Sequence, residues 1–318
     1  MRILVTGGAG YIGSMLVPQL LRNYYYVTVL DSLLYGSGSL SSLYGDSRLR
    51  FVKGSICDKT LVKDTLKGVS AVIHLAALRM NDCPGQIEQV GKVNVEGTRH
   101  LFEAAVETGA KCFIFASSCS IYGAIPTTKI ATEKTSPNLI SPYAKSKIAA
   151  ENIILKMLSD DTRTVVLRFA SAYGLSANMR FDLLLNGLAL DAVMKSHLNI
   201  WGAETCRALA HVRDLVAAIM QSIESKNWHG VINVGGHNRS KRELAGSLVS
   251  QIPDLTVEYH DAPLPPDTRD YKVNFNKIRA LGFFPSFIPE YGLSEIVKSL
   301  QLGIVRDQRR GNNESATG

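Results

Sequence analysis

Apolar residues along this chain fall into short continuous runs separated by longer stretches of helical spacing. Met1–Thr6, Tyr26–Leu30, Leu49–Lys53, Ala71–Leu75, Lys111–Ala116 and Thr164–Phe169 are rich in Val, Ile, Leu and Phe, with few polar interruptions. Such runs predict strands covered on both faces. Between them lie an apolar helix pattern on Met15, Leu16, Leu20 and Leu21, a helix opened by Asp58 and running through Lys67, and long helices over Gln86–Thr108 and Pro142–Leu158. Ser32–Ser47, rich in Ser, Gly and Tyr, reads as a loop with room for one short helix. Strands that alternate with helices predict an α/β fold: a doubly wound parallel sheet. Past Phe169 the rhythm breaks into helices near Phe181–Lys195, Val212–Ser225 and Lys241–Gln251, strands near Asn199–Trp201 and Val231–Val234, a proline-rich loop at Asp261–Pro266, and short helices near Asn274–Leu281 and Pro289–Leu302. This predicts a smaller mixed α/β C-terminal lobe over residues 171–305. Residues 1–170 form the main lobe, with later segments packing back on it, and 306–318 a disordered tail. A cleft between the lobes is the expected ligand site.

The first strand runs into Gly7-Gly8-Ala9-Gly10-Tyr11-Ile12-Gly13, a helix follows, and the second strand ends at Asp31. Glycines suit a tight turn where a phosphate meets bare backbone. The helix start behind them offers unpaired N–H groups and a positive dipole end. Asp31 stands where a carboxylate can accept from a ribose diol. A glycine triplet alone is weak evidence, but strand, turn, helix and acidic strand end together give a Rossmann-like dinucleotide site.

Tyr143 and Lys147, four residues apart at the start of a helix, share one face. Ser141 suits the cap of that helix and Pro142 its first turn. An ammonium beside a phenol favours the phenolate, which makes tyrosine usable as an acid or base near neutral pH. Ser118 ends the fifth strand, on the ligand-binding edge of an open parallel sheet. A lone Tyr-x-x-x-Lys is usually a solvated pair. The glycine turn, Asp31 and a strand-end serine in this order point to catalysis.

The set resembles the extended short-chain dehydrogenase/reductase family, in particular its NAD-dependent sugar-nucleotide epimerases and dehydratases, over about residues 1 to 300. The marks are Thr6–Gly13, Asp31, Asp58, His74-Leu75-Ala76-Ala77, Asn94 in Val-Asn-Val-Glu-Gly-Thr, Ser117-Ser118 with Ile121-Tyr122-Gly123, Tyr143-x-x-x-Lys147 and His211-Val212-Arg213-Asp214. The resemblance accounts for the two residues in the first glycine gap. It implies that Gly7, Gly10, Tyr11 and Ile12 contact the pyrophosphate of NAD and Asp31 its adenosine ribose. It further implies that Asp58 binds the adenine amine, that Leu75 and Ala76 flank the cofactor, and that Lys147 bonds the nicotinamide ribose. No arginine directly follows Asp31, which favours NAD over NADP. Arg207 and Arg269 look like the family's clamps on a substrate diphosphate, for which a planar fork is suited. Ser118, Tyr143 and Ser171 are the other expected substrate contacts; Ser171 stands where the family often has Asn. His74 and Asn94 read as structural.

The resemblance also bears on the reaction. Sugar 4,6-dehydratases carry an Asp-Glu acid/base pair after the strand-end serine; this chain has Cys119-Ser120. Decarboxylating relatives often carry a Glu there, also absent. What remains is epimerisation through a transient 4-keto sugar, most simply at C4, or one-way reduction of a 4-keto nucleotide sugar. Cys119 is either a base for C3/C5 epimerisation or, more in keeping with its small apolar character, a packing residue.

Composition adds bounds. The 318 residues are 46% hydrophobic and 20% charged, as in a soluble globular protein. No apolar run approaches the roughly 20 residues of a membrane span, and the chain opens directly in a strand, which leaves no room for a signal peptide. Cys57, Cys83, Cys112, Cys119 and Cys206 have neither zinc spacing nor even number, so no metal is expected and a reducing cytoplasm fits. The net charge of +7, from 35 basic and 28 acidic residues, is unclustered except for Arg306, Arg309 and Arg310. It suits an anionic small substrate better than nucleic acid. A non-catalytic NAD-binding regulator or RNA-binding protein is the alternative from another class, and it makes Tyr143 and Lys147 dispensable. The helices Gln86–Thr108 and Pro142–Leu158 are the faces relatives use for a four-helix homodimer contact.

Overall fold

The computed structural model describes residues 1–79, 87–126, 128–261 and 269–305. Gln86, Cys83, most of the 261–266 loop and the 306–318 tail lie outside the described residues.

The sequence's alternating runs become β1 (Arg2–Thr6), α1 (Gly13–Arg22), β2 (Tyr26–Asp31), β3 (Leu49–Lys53), α2 (Lys59–Thr65) and β4 (Ala71–His74). Then come α3 (Ile87–Gly91), α4 (Thr98–Glu107), β5 (Cys112–Ser118), α5 (Pro142–Lys156) and β6 (Arg163–Phe169). The second half supplies β7 (Ser171–Tyr173), α6 (Leu184–Lys195), β8 (His197–Trp201), β9 (Cys206–His211), α7 (Val212–Glu224), β10 (Gly230–Val234), β11 (His237–Ser240), α8 (Lys241–Val249), β12 (Thr256–His260), α9 (Asn276–Ala280) and α10 (Pro289–Gln301).

Seven strands form one parallel sheet in the order β10-β6-β5-β4-β1-β2-β3. Alternate residues serve opposite faces. In β1, Ile3 and Val5 join one core cluster and Leu4 the other; in β5, Ile114 and Ala116 oppose Phe113 and Phe115. Both faces are dry, which is why these strands read as unbroken apolar runs. β10 returns from the second half to pair with β6, from Gly230 on Val165 to Val234 on Phe169. A three-stranded sheet β11-β9-β7, the parallel pair β12-β8 and helices α6, α8 and α10 enclose a third cluster that includes Leu185, Leu209, Leu244 and Ile296.

The long helix expected over Gln86–Thr108 is not uniform. Lys92–Gly97 is a π-helical turn between α3 and α4. It directs the buried Asn94 side chain to the chain beyond β4. Asn94 Oδ1 accepts from Leu78 N–H at 2.7 Å, and its Nδ2 donates to Leu78 O at 2.8 Å and to Ser146 Oγ at 3.0 Å. β4, the π turn and α5 are thereby tied at one point, a common use of such turns near functional sites.

His74 is fully buried, with Nδ1 against Thr6 Oγ1 at 2.7 Å and Nε2 against Thr98 Oγ1 at 2.8 Å. Burial, reinforced by the Lys147 charge, pulls its pKa down to about 3. Between that value and the ordinary 6.5 the unfolded chain holds a proton that the folded one refuses, so stability falls as pH falls through this window. The slope approaches about 1.4 kcal/mol per pH unit for this one site. Urea unfolding at pH 7 and pH 5 should show a larger loss for the wild type than for His74→Gln, and equal losses would remove His74 from the acid response.

Candidate active site

The glycine turn is shaped by close approach. Gly7 has φ +72°, and a Cβ there would stand 2.7 Å from the Ala76 nitrogen at the end of β4. A Cβ on Gly13 would stand 2.4 Å from Gly7 O. No side chain larger than hydrogen fits, so bare backbone faces the cleft ahead of α1. Asp31 accepts from Ala9 N–H at 2.9 Å and from Leu33 N–H at 2.8 Å, fixing the turn to the chain beyond β2.

The second lobe is fastened to this same turn. Asn178 Nδ2 donates to Ala9 O at 2.8 Å, and Ser176 Oγ to Tyr11 O at 2.6 Å. The Tyr11 phenol donates to Gly174 O at 2.6 Å and accepts from Asn186 Nδ2 at 3.3 Å. Burial pushes that phenol's pKa far up, so it stays a neutral donor. The Tyr11 side chain therefore belongs to the seam between the lobes, and what Tyr11 offers the cleft is backbone. These seam residues carry no local sequence signal, because their partners lie more than a hundred residues away.

On the opposite wall, Ser141 accepts from Ala144 N–H at 3.1 Å and Pro142 occupies the first turn of α5. Tyr143 is half-buried. Lys147 is buried; its Nζ donates to Ala116 O at 2.8 Å and lies 4.8 Å from the Phe115 ring centre and 5.8 Å from that of Tyr143. Burial lowers the Lys147 pKa to about 8, against an opposing pull from Glu151. Ser118 Oγ donates to Ser120 Oγ at 2.9 Å and accepts from Ser120 N–H at 3.1 Å. Cys119 is turned inward: its thiol donates to Arg168 O at 3.2 Å, and burial raises its pKa far beyond use as a base. Of the two roles open to Cys119, the structure leaves packing.

Gly7, Gly10, Tyr11, Ile12, Asp31, Leu75, Ala76, Ser118, Tyr143, Lys147, Ser171, Arg207 and Arg269 all line one cleft of about 1250 Å³. That exceeds the roughly 300–1,000 Å³ of a single drug-sized ligand and suits a dinucleotide with a second molecule. The Arg207 Nη1 donates to Cys206 O at 3.0 Å and to Arg269 O, which joins the two arginines at one end. Asp58 is not brought to the cleft. Its carboxylate caps α2 through Leu61 N–H at 3.0 Å, while Gly54, Ser55 and Ile56 form the nearby wall. A smaller cavity of 460 Å³, which shares Tyr271 with the cleft, is lined by none of the expected site residues, and its Arg242 and Glu204 are already paired.

Residues 3–235 match the NAD dependent epimerase/dehydratase family. The chain belongs to that family. A dTDP-glucose 4,6-dehydratase of Streptomyces niveus is 33% identical over 94% of this chain and 92% of its own length. A putative UDP-glucose 4-epimerase of Methanocaldococcus jannaschii is 29% identical over 93% and 97%. Among solved structures, the UDP-glucose 4-epimerase of Thermotoga maritima with UDP-glucose is similar at a TM-score of 0.84 and 27% identity, covering 96% of this chain and all of that one. A dTDP-glucose 4,6-dehydratase from Streptomyces venezuelae with NAD bound reaches 0.84 at 29% identity, over 95% and 97%.

The protein is thus an NAD-dependent enzyme of the sugar-nucleotide epimerase/dehydratase type. The turn fits its cofactor: Gly7 and Gly13 leave room only for backbone, Asp31 lines the cleft, and a helix begins behind the glycines. A further feature of this cleft was not expected from the sequence. Arg79, just past β4, pairs with Asp182 of the second lobe at 2.6 Å, and Asp182 also holds Arg180 at 2.8 Å. Arg79 lies over the Tyr35 ring and donates to its hydroxyl. Three distant segments thereby meet across the cofactor side of the cleft. Burial works against an ionised Asp182, but Arg180 and Arg79 hold its carboxyl below the usual range. Losing such a charge-assisted bridge costs about 1.5 kcal/mol. Asp182→Ala should therefore release NAD roughly tenfold faster, as followed by cofactor fluorescence after dilution; an unchanged release rate would mean the bridge does not close the cleft.

Proposed function

We propose that this enzyme is an NAD-dependent nucleotide-sugar epimerase acting at C4 through a transient 4-keto sugar. The supporting observation is the composition of the cleft. Ser118, Tyr143 and Lys147 share it, and among the described residues Asp31 and Asp182 are its only carboxylates. Asp31 is held by backbone amides and Asp182 by arginines. A 4,6-elimination needs a base for the C5 proton and an acid for the C6 hydroxyl. Beyond Ser118 the chain instead presents Ser120 and a buried, protonated Cys119. This favours epimerisation even though dehydratases are among the relatives.

In this reading Tyr143 takes the C4 hydroxyl proton. The Lys147 ammonium stabilises its phenolate, and Ser118 holds the same oxygen. NAD, when bound, supplies the hydride acceptor and donor. Arg207 and Arg269 anchor the diphosphate while the keto sugar turns to present its other face, with Ser171 as a sugar contact. Tyr143→Phe should lower kcat by about 10²–10⁴-fold with little change in KM, measured by product analysis on nucleotide sugars; near-wild-type turnover would refute the mechanism. Conversion without stoichiometric loss of NADH separates the epimerase from a reductase of 4-keto nucleotide sugars.

The same proposal includes a homodimer through α4 and α5, from the family resemblance, and work in a reducing cytoplasm on sugars destined for polysaccharides. Supporting the latter, the described cysteines Cys57, Cys112, Cys119 and Cys206 are free, and no helix among the described residues is long and apolar enough to cross a membrane. Light scattering at micromolar concentration should give twice the mass of 34.7 kDa; a single-chain mass would rule the dimer out.

A further inference from the structure

Beneath the cleft lies a buried ion pair that the mechanism above does not use. Glu151 is 0% exposed and sits one helical turn after Lys147 on α5. Its carboxylate accepts from Arg168 Nη2 at 2.7 Å, from Arg168 Nε at 3.1 and 3.2 Å, and from the Ser117 hydroxyl. Ser117 and Arg168 are register partners on β5 and β6. Ser117 directly precedes Ser118, and Arg168 stands three residues before Ser171. Arg168 also donates to Tyr122 Oη at 3.0 Å and Glu133 O at 3.2 Å, Tyr122 donates to Asn233 Oδ1 at 2.8 Å, and Asn233 N–H donates to Glu133 at 2.9 Å. Six charged or polar side chains therefore link α5 with β5, β6 and β10.

Stability alone is a poor reason for this pair. Buried ion pairs are often replaceable by apolar residues of similar volume without loss. We infer that Glu151 is a positioning residue for the proposed reaction: it fixes the strand ends bearing Ser118 and Ser171 and keeps Lys147 charged beside Tyr143. The inference rests on the catalytic reading of Tyr143 and Lys147.

The charges around Lys147 are few. On α5 it faces Tyr143 and Glu151. β4 contributes His74, which burial keeps neutral, and β5 contributes the Ala116 carbonyl and the Phe115 ring. The π turn contributes neutral Asn94. Arg168 on β6 is held behind Glu151. Burial already draws Lys147 down to about 8, and Glu151 is the group that resists it. Neutralising Glu151 removes that attraction and leaves the Arg168 guanidinium as an unanswered like charge. Lys147 then loses its proton at lower pH, and the phenolate of Tyr143 loses its support.

The test uses the full-length, NAD-loaded protein with Glu151→Gln, Glu151→Asp and the double variant Glu151→Gln/Arg168→Leu. For Glu151→Gln the alkaline limb of kcat should move about one unit toward lower pH. The expected kcat at pH 8 is at least about tenfold lower, with partial recovery near pH 6 and KM within about twofold. Glu151→Asp, which keeps the charge, should keep the limb near its wild-type position. A second readout needs no substrate. In protein with isotope-labelled lysine, the Lys147 signal, assigned by its loss in Lys147→Met, should titrate at lower pH in Glu151→Gln than in wild type. An unmoved Lys147 midpoint, or a kcat reduced equally at every pH, overturns the inference. A moved midpoint in an enzyme that turns over no nucleotide sugar would count against the proposed function and not against this role. Should Glu151→Gln alone fail to fold, the double variant carries the test: folded protein with wild-type kcat at every pH overturns the inference.

Discussion

An ammonium removed from water costs several kcal/mol unless its surroundings answer the charge. Lys147 is such a group, and much of the site follows from how it is answered. Its proton donor reaches the Ala116 carbonyl, its charge lies over the face of Phe115, and a carboxylate waits one turn further along α5. For Nζ to meet that carbonyl, β5 must end beside the first turns of α5. Ser118, two residues on, then opens into the cleft. Tyr143, one turn back, lies on the same wall because Ser141 and Pro142 start the helix there. The same burial draws the Lys147 pKa down to about 8 and leaves its charge poorly screened beside the Tyr143 ring.

The second constraint is crowding at the glycine turn. The chain beyond β4 closes on Gly7 and the turn's own backbone closes on Gly13, so neither position has room for a side chain, while the carbonyls at Ala9 and Tyr11 face partners from the second lobe. The second lobe supplies them through Asn178 and Ser176. The glycine turn is thus also the point to which the second lobe is fastened. This makes residue 170 a soft boundary: β10 crosses back to complete the main sheet, and Tyr11 reaches out to Gly174.

These two constraints differ in how visible they were beforehand. β1 to β6 were legible because a strand buried on both faces must be apolar throughout. The glycine turn, Asp31, Ser118 and the Tyr143–Lys147 spacing were legible because each depends on residues close together in the chain. β7, β9, β11 and β12 were not: they are short, carry residues such as His237, Asn238 and Arg239, and exist only through pairing with distant segments. The π turn was hidden inside a helical pattern it scarcely disturbs. Tyr11 was expected at a phosphate, and the place of its phenol in the lobe seam was not legible. Asp58 was expected at the adenine from the resemblance and at the opening of α2 from the chain itself, and one of its carboxylate oxygens makes that cap. The burial of Glu151 was not legible, since nothing local reveals that Arg168 lies across from it.

A scaffold shared by epimerases and dehydratases raises the question of what keeps a keto sugar intact once it forms. A ketone at C4 acidifies the proton at C5, so the substrate itself is primed for elimination. The outcome then depends on whether a base stands within reach of that proton and an acid within reach of the C6 oxygen. Here the chain turns the Cys119 thiol inward against the Arg168 carbonyl, where burial holds it protonated, and places at the next position a hydroxyl, Ser120, that accepts from Ser118. Among the described residues the cleft shows no carboxylate pair beyond Ser118 to complete the elimination, while Tyr143, the group proposed to return a proton to the C4 oxygen, lines it. In the proposed reaction the direction of the chemistry is set less by what the cleft adds than by the thiol and the hydroxyl that follow Ser118 where an elimination would need a carboxylate pair.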